Sequence, residues 1–129
     1  MNFTVADPGN AGRRRSPRID IKLEASLSGK RRRSVAVIDL SRTGCLVQCD
    51  NLLDHDATFD LVLPFDEQPF TAQVRVTEAY VDGTAAPSDA RRYLAGLEFI
   101  GLPARDEERL RRFLERERRR RPSADAPAE

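Results

Sequence analysis

In Ile19-Asp20-Ile21-Lys22-Leu23-Glu24-Ala25-Ser26-Leu27 every second side chain is apolar and the others are charged or hydroxylated. Successive side chains of a β-strand point to opposite faces, so this period-two pattern predicts a strand buried on one face and wet on the other. Ser28-Gly29-Lys30 then supplies turn residues, and the β-branched run Val35-Ala36-Val37-Ile38 predicts a second strand. Ser41-Arg42-Thr43-Gly44 reads as a turn and Cys45-Leu46-Val47-Gln48-Cys49 as the strand that returns from it. The alternation resumes at Phe59, Leu61 and Leu63, stops at Pro64, and reappears at Phe70, Ala72, Val74 and Val76 with room to run on to Val81. Residues 92–100 make a sixth strand around Gly96.

Beyond Gly101 the period changes. Leu110, Phe113 and Leu114 stand at i, i+3 and i+4, the stripe of an amphipathic helix, placed over 103–121. Asp106, Glu107 and Glu108 at its start and Arg118 to Arg121 at its end both favour the helix dipole, and Pro122 stops it. Six short antiparallel strands followed by one helix predict a mainly β protein: a closed or nearly closed six-stranded antiparallel β-barrel with a C-terminal α-helix laid against it. Residues 1–12 are expected to be a flexible tail and residues 122–129 a disordered one.

Composition narrows the function classes. A chain of 129 residues is the size of one domain. The net charge is +1, from 22 basic and 21 acidic residues, which argues against bulk binding to nucleic acid. All the basic residues except Lys22 and Lys30 are arginine, many of them in runs at 13–15, 31–33 and 118–121, so a local anion site stays open. Cys45 and Cys49, if on one strand, are ~13 Å apart, beyond disulfide reach, and are expected to pack as small buried hydrophobes. No apolar leader and no stretch near the ~20 apolar residues of a membrane span is present, so the expected location is the cytoplasm, without membrane insertion.

Enzymatic chemistry finds little to work with. His55 stands alone in a polar loop, with no second His or Cys at metal-ligand spacing. Neither a P-loop nor a dinucleotide-binding glycine pattern occurs. The reading is a non-enzyme with no cofactor and no metal.

Two segments carry recognition chemistry instead. Arg14-Arg15-Ser16-Pro17-Arg18 precedes the first strand, and Pro17 disfavours helix at Ser16, so the segment takes an extended or turn path. Guanidinium groups bind phosphate bidentately, pair with O6 and N7 of guanine, and stack on base planes. Asp39-Leu40-Ser41-Arg42-Thr43-Gly44 leaves the second strand. An ionised Asp39 accepts the N1–H and N2–H donors of a guanine, Ser41 donates to phosphate or base, and Gly44 permits positive φ and close backbone approach. Read separately, the turn is a hairpin capped by Asp39 and Ser41, and the arginines are a solvated tail.

Read together, R-x-x-x-R at Arg14 to Arg18 and D-x-S-x-x-G at Asp39 to Gly44 resemble the paired motifs of the PilZ family. Gly96-Leu97-Glu98-Phe99 is similar to that family's final strand, and the resemblance spans residues 13 to 117, with a PilZ-like domain over 13–121. It implies a six-stranded split-barrel fold and a bacterial receptor for cyclic di-GMP. Arg14 and Arg18 are then expected to grip its phosphates and guanines, Asp39 and Ser41 to contact guanine or phosphate, and Gly44 to give turn geometry and room. Arg13, just before the motif, implies two intercalated ligand molecules per site. The expected output is ligand-dependent ordering of the arginine segment, read by an unidentified protein effector. Two alternatives compete: a nucleic-acid-binding barrel using Arg31 to Arg33 and Arg118 to Arg121, and a ligand-independent adaptor docking through the arginine-rich helix end.

Overall fold

The alternation of residues 19–27 becomes β1 (Ile19–Ser28), with Ile19, Ile21, Ala25 and Leu27 buried. The computed structural model describes residues 18–65 and 68–120. The remaining strands are β2 (Arg32–Leu40), β3 (Gly44–Cys49), β4 (Thr58–Leu63), β5 (Phe70–Val81) and β6 (Tyr93–Ile100), and the helix α1 spans Ala104–Arg120. β2 is longer than its apolar run: it starts at Arg32 because Arg32 and Arg33 pair with Ser28 and Leu27 across the hairpin. The expected tails, 1–12 and 122–129, lie outside the described residues.

Every neighbouring pair is antiparallel, and the order β1-β2-β3-β6-β5-β4 closes on itself through β4 and β1. β3 therefore pairs with β6 and not with β4, so the β5–β6 hairpin completes the wall beside β3. The closing seam is short, from Ser26↔Val62 to Ser28↔Asp60. Inside, Leu27, Val35, Val37, Leu40, Val47, Leu61, Val74 and Val76 are fully buried. Each such side chain contributes about 1.5–3 kcal/mol of burial free energy. Both cysteines are free and buried, as their place in β3 requires. The pKa of the Cys49 thiol is pushed up by burial to about 11.

Antiparallel pairing brings the start of β1, the β2–β3 turn, the end of β6 and the start of β5 to one rim. The helix packs on the β4–β5 side of this rim. After Gly101, which takes φ 65°, the carbonyl of Pro103 accepts the Asp106 and Glu107 amides and α1 begins. Leu110, Phe113 and Leu114 are buried, and the Phe113 ring stacks on Phe65 at 4.0 Å between centroids, with Phe65 stacked in turn on Phe70. Arg109 reaches over both Phe65 and Phe70 and donates to the Gln68 and Pro69 carbonyls. α1 also packs against β1, the strand whose first half β4 leaves unpaired. A helix over an open strand edge is a common guard against further pairing.

Candidate functional site

The β2–β3 turn is held by its own polar groups. The Ser41 amide donates to the Gly44 carbonyl at 2.9 Å, the Thr43 amide donates to Ser41 Oγ at 3.2 Å, and Thr43 Oγ1 lies 3.2 Å from the same oxygen. Ser41 Oγ in turn donates to the Gly44 carbonyl at 3.3 Å, and the residue is only 4% exposed. Its one hydrogen is engaged inside the turn, so donation to a ligand requires exchange of that bond.

Of the two reasons expected for Gly44, close backbone approach is present and positive φ is not. Among the described glycines only Gly101 has positive φ, so Gly44 is not a left-handed turn residue. A Cβ there would stand 2.0 Å from the Leu97 carbonyl oxygen, 3.1 Å from its carbon and 3.2 Å from Glu98 Cα. Gly44 pairs with Glu98, and the Thr43 carbonyl accepts the Phe99 amide at 2.9 Å. The absence of a side chain lets the turn lie flush on β6.

Asp39 does not cap this turn. Its carboxylate faces the outer wall and accepts from Arg18 Nη1 at 3.2 and 3.4 Å. By simple alternation from Val37, Asp39 would point into the core. A bulge between Val37 and Asp39 turns it outward while Leu40 stays inside. Bulges of this kind often re-aim a side chain beside a binding site. Burial raises the Asp39 pKa; Arg18 opposes the rise, and Asp20, directly across the ladder, adds to it. The Asp39 side chain is 16% exposed, against 53% for that of Arg18, so a partly sunken carboxylate carries a half-exposed cation at its mouth. Arg18, Asp39, Ser41 and Gly44 thus gather at one rim. Arg13 and Arg14 lie outside the described residues.

Topology adds groups that sequence reading missed. Leu46 stands opposite Asp39, Gly96 opposite Leu46, and Glu78 opposite Gly96, a continuous outer row across β2, β3, β6 and β5. In the neighbouring row Leu94 stands opposite Tyr80, which is 43% exposed. Burial raises the Tyr80 hydroxyl pKa, and Glu78, Asp39 and Asp82 push the same way, with Arg18 against them. Tyr80 therefore shares the electrostatic environment of the Arg18–Asp39 pair. Nothing in the sequence signals this, because Tyr80 shares the parity of the buried Phe70, Ala72, Val74 and Val76 and only the shift after Val76 turns it outward.

Other candidates lie elsewhere. His55 is exposed, 3.3 Å from Asp56, and among the described residues no group of side chains suits a metal ion. On α1, Arg111 bonds Glu108 and Glu115, Arg112 bonds Glu108, Arg119 lies 3.8 Å from Glu115, and Arg120 bonds the buried Glu117. These arginines are already matched by carboxylates of the same helix.

Arginine, carboxylate and a tight serine–glycine turn thus meet at one rim of a small closed β-barrel. The PilZ domain model matches residues 12–116, and the chain belongs to the PilZ family. Solved structures agree on the fold. The PilZ domain of YcgR from Escherichia coli with c-di-GMP is 17% identical, with TM-score 0.68 over 88% of this chain and 98% of that one. The Bacillus subtilis inhibitor of motility (MotI/DgrA) is 18% identical, with TM-score 0.67 over 83% of this chain and 52% of that one. The K. pneumonia MrkH–c-di-GMP complex is 20% identical, with TM-score 0.63 over 78% of this chain and 50% of that one. The chain thus spans about half the length of the latter two proteins. No curated protein sequence matches.

Proposed function

We propose that the protein is a receptor for cyclic di-GMP rather than an enzyme, binding the dinucleotide at the rim where Arg18, Asp39 and the 41–44 turn meet. The observation that carries this reading is the Arg18–Asp39 pair, a phosphate-binding cation and a guanine-accepting carboxylate held side by side on the outer wall of a PilZ barrel. YcgR and MrkH, which share the fold, were solved with this ligand. Releasing Arg18 to a phosphate costs little, because a half-exposed ion pair is worth about 0–1 kcal/mol. Asp39 then takes N1–H and N2–H of a guanine. Ser41 and Gly44 hold the turn, and Ser41 can exchange its Gly44 bond for a ligand oxygen. Arg13 and Arg14 complete the grip, and Arg13 favours two stacked ligand molecules per site.

Ligand binding pins residues 13–18 to the barrel, a change that a protein effector can read. The pairing of Arg119 and Arg120 with carboxylates of the same helix weakens the adaptor reading, which relied on the arginine-rich helix end. Calorimetric titration of the Arg14→Ala and Arg18→Ala variants tests the assignment. Each should weaken binding roughly 10- to 100-fold, the worth of about 1.5–3 kcal/mol for a charge-assisted hydrogen bond. Variants that bind as tightly as the unmodified chain would move the site elsewhere.

A further inference from the structure

We infer that Glu78 is a second base-reading carboxylate of this site, set to accept the N1–H and N2–H donors of a second guanine and so to fix the choice of purine. The inference rests on the cyclic di-GMP reading above. Its starting point is a bulge. Val76 is fully buried, so by alternation Glu78 would face the core. The register shift between Val76 and Glu78 turns it to the outer wall, as the shift between Val37 and Asp39 does for Asp39. Two strands of one barrel thus break their alternation to present a carboxylate in the same outer row.

Gly96 then shapes where the second carboxylate lies. A Cβ at Gly96 would meet Glu78 Cγ at 3.0 Å, Glu78 Oε2 at 3.2 Å and Thr77 Oγ1 at 3.2 Å. The Glu78 side chain is folded back over the bare backbone of β6, toward Leu46 and Asp39. Thr77 Oγ1 donates to the Gly96 carbonyl at 3.2 Å and fastens the bulge to the same residue. Asp39 and Glu78 start about 14 Å apart along the wall, three strand spacings, and the fold-back shortens that gap. Between them lies a low floor of Leu46 and Gly96, with Tyr80 and Leu94 alongside.

The electrostatics exclude an indifferent role once an anionic ligand sits here. Arg18 balances Asp39, whereas no cation pairs with Glu78 among the described residues. A lone carboxylate repels the phosphodiesters unless it faces hydrogen-bond donors. The Watson–Crick edge of guanine offers two parallel donors to one carboxylate; adenine offers no such pair.

The test is calorimetric titration of the full chain and its Glu78→Ala and Glu78→Gln variants with cyclic di-GMP and with its adenine counterpart. Glu78→Ala should lose about tenfold or more in affinity for the guanine ligand, the usual scale of base discrimination by a bidentate contact. Glu78→Gln, which keeps one acceptor, should fall between. Affinity for the adenine ligand should be unchanged or improved in both, so the selectivity ratio collapses while the melting temperature does not. Unaltered or tighter cyclic di-GMP binding by Glu78→Ala would overturn the inference and leave the receptor reading intact. No binding by the unmodified chain would instead refute the receptor reading and this inference with it.

Discussion

Replacing Gly44 by alanine should unfold the site from within, without any change of charge. The new Cβ would sit 2.0 Å from the Leu97 carbonyl oxygen. A carbon–oxygen contact of about 3.3 Å is the ordinary limit, so roughly 1.3 Å of movement is required. The obstacle is the backbone of β6, held by the β3 ladder on one side and by β5 on the other. Overpacking against such a neighbour costs about 1–3 kcal/mol. Moving the turn also strains the Ser41–Gly44 and Phe99–Thr43 backbone bonds, each worth about 0.5–1.5 kcal/mol. A total near 3–4 kcal/mol lowers the melting temperature of a domain this size by about 15–25 °C. Thermal denaturation followed by circular dichroism reads this directly, with Gly83→Ala as control, since nothing lies within 4 Å of a Cβ there. A Gly44→Ala variant melting within about 4 °C of the unmodified chain would refute the close-approach argument.

Asp39→Asn should raise the melting temperature near neutral pH and abolish tight ligand binding. The sign follows from the raised Asp39 pKa: between its ordinary and raised values the folded state holds more protons, so stability falls as pH rises through that window and stays lower above it. The gain should vanish in acid, where Asp39 is protonated in both states; a variant that melts lower at neutral pH would mean that the Arg18 pair outweighs burial. Phe113→Ala, which removes the ring stacked on Phe65, should cost about 3–5 kcal/mol in urea denaturation. Arg91 donates to both Glu24 oxygens, at 2.8 and 2.9 Å, and ties the β5–β6 loop to β1. Arg91→Ala should therefore speed amide exchange across residues 82–90 while changing global stability by under about 1 kcal/mol. Unchanged exchange there would show that the tie does not hold the loop.

Much of this architecture was readable in the alternation of residues 19–27, in the apolar parity of β4 and β5, and in the helical stripe Leu110, Phe113 and Leu114. The turn motif was readable too, with close approach as one use of its glycine, but not what it approaches, because Leu97 comes from a strand more than fifty residues away. Pairing order was hidden for a similar cause: nothing local to β3 says that β6 will be its neighbour. Bulges defeat periodicity by design, since one extra residue flips every side chain beyond it. That is why Asp39, read as part of the turn after Ile38, sits inside β2, and why Glu78 and Tyr80 escaped notice as members of its outer row. Asp56, at φ 69°, is a strained position that composition did not flag. At the arginine-rich helix end, the sum of charges does not show that Arg119 and Arg120 lie beside Glu115 and Glu117 of the same helix.

The central claim is tested most directly by titrating the unmodified chain with cyclic di-GMP in a calorimeter at two salt concentrations. The account predicts saturable binding in the micromolar range or tighter, weaker at the higher salt because phosphate contacts are screened, and with two ligand molecules per chain. The absence of any binding signal at ligand concentrations well above micromolar would contradict it.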